Sequence, residues 1–257
     1  MLVTRRPPPP LASYVEGLWH YDGSPVAHQR ERVLPNGRFQ MVVDLASGRG
    51  TVCGMRSQYI EIDPSAIRLV IGVVFRAGGA YAFFGAPADF YNQVVPLDDA
   101  WGSDAIRLGE RLADAPGAAE KLRLLETALL ERMNGAASRR LALHPSVEHG
   151  LRAFRHMPHV QSVIDVSADA GVSRRRFSEL FREQIGMTPK LCCRLLRFRD
   201  VVRRIVAGAP VDWADVALAG GYCDQAHLSH EFRDFSGMSP SSYLAAERPF
   251  VNHVRVD

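Results

Sequence analysis

Arg175, Ser178, Glu179 and Arg182 follow one another at i, i+3, i+4 and i+7, a spacing that puts all four on one face of a helix. Arg174 and Arg176 flank them. Guanidinium groups in such a row can pair with phosphate oxygens, and a single arginine can fork onto the O6 and N7 of a guanine. The opposite face carries Phe177, Leu180, Phe181 and Ile185, apolar at helical spacing, so that face is buried and the polar one is free to touch something. Between residues 160 and 210 there are ten Lys and Arg against five Asp and Glu, a net of +5. This is the chemistry of nucleic-acid binding. A single segment of this kind is equally compatible with a helical hairpin whose basic face is merely solvated.

The pattern occurs twice. The first copy runs from Val166 through Gly171, Ser173 and Phe181 to Gly186-Met187-Thr188-Pro189, and the second from Val216 through Gly221, Asp224 and Phe232 to Gly237-Met238-Ser239-Pro240. Phe177 and Leu228, Phe181 and Phe232, Gly186 and Gly237, and Pro189 and Pro240 match at an offset of 51, while Gly171 and Gly221 match at 50. One residue has been inserted in the second turn. A period near fifty with matched core, turn and closing motif is hard to obtain by chance. Each part has a physical reason. A small residue (Ser167, Ala217) lets two helices approach closely, a glycine (Gly171, Gly221) supplies the positive φ that stops the first helix, and Ser173 and Asp224 are good N-cap types for the second.

Residues 145 to 244 resemble the double helix-turn-helix DNA-binding domain of the AraC/XylS family of bacterial transcription regulators. The resemblance is carried by Gly221-Tyr222-Cys223-Asp224-Gln225-Ala226-His227-Leu228-Ser229-His230-Glu231-Phe232 and by Gly237-Met238-Ser239-Pro240-Ser241-Ser242-Tyr243, and it spans roughly 100 of the 257 residues. It implies that Arg175, Ser178 and Glu179 sit where base edges are read, with Arg174, Arg176 and Arg182 placed for phosphates. In the second copy it implies base approach by Gln225, Ala226, Ser229 and His230, with Arg233 on the same helix, and a supporting role in the turn for His227. It further implies that Lys190 to Ala207 is a helix linking two subdomains. Its ~18 residues would span ~27 Å, a spacer suited to two recognition helices in successive major grooves, roughly ~34 Å apart.

Composition sets the bounds. A chain of 257 residues with 23% charged and 47% hydrophobic residues has room for two ordinary globular domains. The start, Met1-Leu2-Val3-Thr4-Arg5-Arg6, does not resemble a signal peptide, and the longest apolar stretch, Leu69 to Phe75, is too short for a membrane span; a cytoplasmic protein is expected. Residues 1–138 carry a net charge of −1 and residues 139–257 a net of +4. Within the latter, residues 211–257 have only three Lys and Arg against seven Asp and Glu, so the first copy is expected to supply most of the phosphate affinity. Cys53, Cys192, Cys193 and Cys223 show no metal-ligand or Cys-x-x-Cys spacing, and the adjacent pair on an apolar helix reads as buried rather than reactive.

The N-terminal region reads as short β-branched and aromatic runs from Ser13 to Phe84, the last of them Ala80 to Phe84, separated by Gly, Pro, Asn and Asp. Helical periodicity follows over Ser103 to Leu112 and Ala118 to Met133, and Asn134 to Arg140 reads as the interdomain linker. Leu34-Pro35-Asn36-Gly37, Val74 to Ala80 and Val95 to Gly102 resemble the N-terminal domain of a subset of AraC-type regulators, where the wider family has a sensing or dimerisation domain, frequently cupin-like. The histidine set of metal-binding cupins is lacking, since His20 and His28 stand alone before the main strands. Arg76, beside Gly78 and Gly79, could hold an anion or simply lie exposed on a turn, and Trp101 is expected to pack a helix onto the sheet.

The expected fold class is thus α+β. A β-rich N-terminal domain (residues 1–137), a sandwich or cupin-like barrel followed by helices, precedes an all-α domain (residues 138–257) of two helix-turn-helix units. The implied function is sequence-specific transcriptional regulation without enzymatic activity, cofactor or metal. Its implied partners are double-stranded DNA, RNA polymerase if the regulator activates, and a small-molecule effector or a second copy of the chain at the N-terminal domain. Two alternatives are a sequence-tolerant DNA-coating protein, for which the basic first copy would suffice, and an N-terminal enzyme with a DNA-binding tail, which no catalytic constellation supports.

Overall fold

Strands of period-two burial build one large antiparallel sheet. The computed structural model describes residues 1–23, 28–135, 142–156, 162–207 and 211–256. Its N-terminal part runs β1 (Leu2–Arg5), α1 (Pro9–Ala12), β2 (Val15–Asp22), β3 (Glu31–Val33), β4 (Phe39–Asp44), β5 (Gly50–Cys53), β6 (Ile60–Ile62), β7 (Leu69–Phe75), α2 (Tyr81–Phe84), β8 (Val94–Pro96), α3 (Leu97–Trp101), α4 (Ser103–Asp114) and α5 (Gly117–Asn134). Six strands form a sheet in the order β1-β2-β7-β4-β5-β8. In β4, Phe39, Met41 and Val43 point inward while Gln40, Val42 and Asp44 are half-exposed, the alternation expected of a sheet with one face on the core. Leu18, Ile71, Val73 and Phe75 share that inner face through the register of β2, β7 and β4, and Leu108, Leu112, Leu122, Leu125 and Leu129 of α4 and α5 belong to the same core. Helices therefore cover the inner face of a sheet whose edges are β1 and β8.

One local reading changes. Ala80 to Phe84, aromatic enough to suggest a strand, is helical: Gly78 takes φ +82° and the amides of Phe83 and Phe84 both return to the Ala80 carbonyl, a turn chemistry that overrides β propensity. Trp101 does pack a helix down, its ring stacked on Phe84 at 5.3 Å and its Nε1 donating to the Phe83 carbonyl at 3.3 Å. The expected linker begins where α5 ends at Asn134; residues 136–140 lie outside the described residues, as does the boundary between the two expected domains.

The helical part runs α6 (Pro145–His156), α7 (Val163–Asp169), α8 (Arg174–Ile185), α9 (Pro189–Val206), α10 (Trp213–Ala219), α11 (Gln225–Ser236) and α12 (Pro240–Ala245), followed by β9 (His253–Arg255). The last strand was not legible in the sequence. It returns to the N-terminal part, where β6-β3-β9 form a second, three-stranded sheet with Arg32 opposite Val254 and Val254 fully buried.

Candidate nucleic-acid interface

The duplication seen in the sequence is a duplication of caps and turns. Ser162 and Asp212 cap α7 and α10, Ser173 and Asp224 cap α8 and α11, and Thr188 and Ser239 cap α9 and α12, each through its side-chain oxygen. Such caps satisfy orphan amides at the first turn and fix where each helix begins. Gly171 and Gly221 adopt φ +70° and +72° between the paired helices, and Gly186 and Gly237 close α8 and α11 at φ +96° and +69°. The first unit is built on Phe154, Phe177 and Phe181, with ring centroids 5.6–6.3 Å apart. The second is built on Phe198, Phe232, Phe235 and Tyr243. Phe181 and Phe232 are both buried, as their equivalence requires.

Those frames leave one face of α8 and one of α11 bare. Arg174, Arg175, Arg176, Glu179 and Arg182 are exposed and Ser178 is half-exposed, its hydroxyl donating to the Arg174 carbonyl at 2.8 Å. Arg175 Nε donates to Glu179 at 3.0 Å, and Arg176 lies 4.0 Å from the same carboxylate, which holds the two arginines side by side. On α11, Gln225, Ala226, His230 and Arg233 are exposed and Ser229 is half-exposed; none of these side chains has a hydrogen bond among the described residues. His227 is turned inward instead: its Nδ1 accepts from the Cys223 amide at 3.4 Å and its ring meets Tyr222 edge-on at 5.2 Å. The chain therefore brings the eleven predicted residues onto two equivalent helices. Arg76 is not among them. It lies after β7, with Nε donating to the Ala12 carbonyl at 2.7 Å.

Charge counted along the sequence overstates what faces outward. Arg194 and Arg197 of α9 are directed at α11, where the buried Glu231 accepts from Arg194 Nε at 2.7 Å, from Arg197 at 3.2 Å and from the Tyr222 hydroxyl at 2.9 Å; Arg194 also reaches Asp234 at 2.8 Å. Arg203 and Arg204 share Asp200. Much of the net +5 of the first copy and of the acidity of the second thus cancels across the α9–α11 contact. On the reading helices an imbalance survives, four exposed arginines on α8 against Arg233 on α11. Glu231 was invisible to sequence reasoning because its partners lie 34 and 37 residues upstream; a buried-face position occupied by a carboxylate was the available signal.

The far ends of both helices are held by the N-terminal part. A Cβ at Gly186 would lie 3.1 Å from the Pro87 carbonyl oxygen, one at Gly78 would lie 2.5 Å from Leu143 and 3.2 Å from Ile185, and one at Gly237 would overlap the Tyr59 ring. The Tyr59 amide donates to the Phe235 carbonyl at 3.1 Å, and Arg32, lying over the Tyr59 ring at 4.0 Å, donates to the Ser236 carbonyl at 3.2 Å. The N-terminal halves of α8 and α11 stay open.

Comparison with known proteins agrees with this geometry. Residues 166–246 match the family model of a helix-turn-helix domain, and residues 3–96 match a domain of unknown function, DUF6597. The matched segment takes in both units, from Val166 of α7 to Ala246 after α12. The chain is 32% identical over 90 residues to the probable transcriptional regulator LumQ of Photobacterium leiognathi, covering 35% of this chain and 36% of LumQ, so it spans about a third of the curated relative it matches. An AraC-type transcriptional regulator from Chromobacterium violaceum aligns at 21% identity over 43% of this chain and 95% of its own, with a TM-score of 0.37. ToxT from Vibrio cholerae aligns at 10% identity over 95% of this chain and 97% of its own, with a TM-score of 0.42. Both scores lie below 0.5, so the helix-turn-helix assignment stands on the family-model match and on the paired caps and turns.

Proposed function

We propose that the protein is a sequence-specific transcriptional regulator that reads DNA with α8 and α11, and that its N-terminal domain, residues 1–137, modulates residues 138–257 through an effector or self-association. One observation carries this reading: two units with equivalent caps, turns and aromatic cores each expose the N-terminal half of the helix that an AraC-type domain offers to a major groove, and the exposed side chains are arginines, amides and hydroxyls suited to phosphates and base edges. Arg175, Ser178 and Glu179 take the base edges in the first unit, with Arg174, Arg176 and Arg182 on phosphates; Gln225, Ala226, Ser229 and His230 approach bases in the second, with Arg233 beside them. No enzymatic step is needed for such a role. No described helix is long and apolar enough to cross a membrane.

The test is selection of bound sites from random DNA by the purified full chain. Enrichment of a motif with two parts about one helical turn apart is expected. A broad, salt-sensitive retention of all sequences with no motif would favour DNA coating and overturn the reading.

A further inference from the structure

The N-terminal domain meets α6 and α9 across a cleft of about 370 Å³ whose wall carries five arginines: Arg38 and Arg76 from the N-terminal side, Arg155 from α6, and Arg199 and Arg203 from α9. Two carboxylates stand against them. Glu16 pairs with Arg38, and Asp200 with Arg203 at 3.2 Å. Among the described residues Arg155 and Arg199 have no hydrogen bond or ion pair, and Arg76 spends only its Nε, on the Ala12 carbonyl. Arg199 and Arg38 are both partly buried. Burial, with Arg199, Arg155, Arg76 and Arg203 adding like charge, depresses the Arg38 guanidinium to about 10, and burial with Arg203 and Arg155 acts on Arg199 in the same direction. The floor is apolar, formed by Leu151, Met187 and Leu195.

Five guanidiniums gathered round one cleft repel one another, and the partly buried Arg38 and Arg199 also lose hydration, a cost that a bound counterion removes. Planar guanidinium forks match the oxygens of phosphates and carboxylates better than those of any other common group. The volume lies in the range of small-molecule sites.

We infer that this cleft binds a small anion bearing at least two negative charges, a phosphorylated or polycarboxylate metabolite, as the effector of the regulator proposed above, a reading on which this inference rests. Its walls come from both domains, so an anion held there ties the Asn36-Gly37-Arg38 turn to α9, the helix that joins the two helix-turn-helix units. A Cβ at Gly37 would already lie 3.1 Å from Leu195 and 3.9 Å from Arg199, so the turn and the helix are in contact where the ligand would sit. An effector that stabilises this arrangement over any other changes DNA affinity by its preference between the two.

The experiment uses the full chain, with pyrophosphate and citrate as probes and chloride at matched ionic strength as the control. Melting temperature is expected to rise by about 5–10 °C at a hundredfold excess of the bound probe over its Kd, with affinity for the selected DNA site changing in the same titration. Arg155→Gln, at an exposed position, should halve the shift or more. The pair Arg155→Gln with Arg199→Gln should abolish it while leaving the probe-free protein folded and bound to the same DNA motif. An equal shift in wild type and double variant, or no shift with either probe, overturns the inference and leaves the DNA-reading proposal standing. Loss of the site-selection motif in wild type fails the regulator and not the anion site. A double variant with normal probe response but weaker DNA binding and a shallower salt dependence would show that the cleft takes a DNA phosphate, which also overturns it.

Discussion

At the scale of single residues the two histidines of the second unit have different surroundings and should have different phenotypes. His230 is exposed and unengaged, whereas His227 closes the turn against Cys223 and Tyr222. His230→Ala is expected to change the preferred bases in one half of the selected site at unchanged melting temperature, and His227→Ala to lower the melt without changing the motif; a shifted motif with an unaltered melt for His227→Ala would reverse the roles. On α8, Arg175→Ala should relax preference at one base position, costing about 1–3 kcal/mol of discrimination. Arg182→Ala should weaken all sequences alike and lower the salt slope by about one, and an identical motif for wild type and Arg175→Ala would refute the base-reading role. The cysteines separate in the same way. Burial pushes the Cys192 and Cys193 thiols up to about 12, so near pH 8 iodoacetamide is expected to modify the exposed Cys223 and to spare that pair until the protein is unfolded, which peptide mass mapping would read directly.

At the scale of elements, α9 joins the two units through a charged contact rather than an apolar one alone. Removing Glu231 takes the carboxylate from Arg197 and the Tyr222 hydroxyl while Arg194 keeps Asp234, so Glu231→Ala should cost ~3 kcal/mol, toward the low end for a broken buried pair. Denaturant titration measures it, and a change under ~1 kcal/mol would mean the cluster relaxes freely. Phe181→Ala should cost ~3–5 kcal/mol and abolish DNA binding. Phe232→Ala should spare part of the affinity, because α8 exposes more cations than α11; equal losses would show that both units contribute alike. The elements legible in the sequence were those with local causes. Gly171 with its positive φ, Ser173 and Asp224 with their caps, and Phe181 at helical spacing all act within a few residues of themselves, and the period of fifty made them visible twice. The N-terminal strands were legible where alternation was long, as over Phe39 to Asp44. Tyr81–Phe84 was misread because its aromatic content speaks for a strand while a turn at Gly78 decides otherwise. Glu231 and the arginine cleft depend on residues tens to more than a hundred positions apart, and no local pattern encodes such a meeting.

At the scale of the whole molecule, β9 makes the N-terminal part depend on residues beyond the two helix-turn-helix units. The Leu34 amide donates to the Asn252 carbonyl and the Val256 amide to that of Arg30, while His253 and His28 both hold Glu31, at 2.8 and 2.5 Å. Val254→Asp should expel the strand, speed hydrogen exchange at the Leu34 amide and leave amides of α8 protected; uniform exchange across both would indicate global unfolding instead. A three-residue strand pairing with a segment some 220 positions earlier has no signature in the sequence, which explains why it went unread. It also alters the kinematics of any motion between the halves. Residues 246–252 lead from α12 back to β9, so the helical half is joined to the N-terminal part at its far end by strand pairing. While β9 remains paired, α12 stays within reach of the few residues that separate it from β3, so the second unit cannot part from the N-terminal half without first unzipping that pairing.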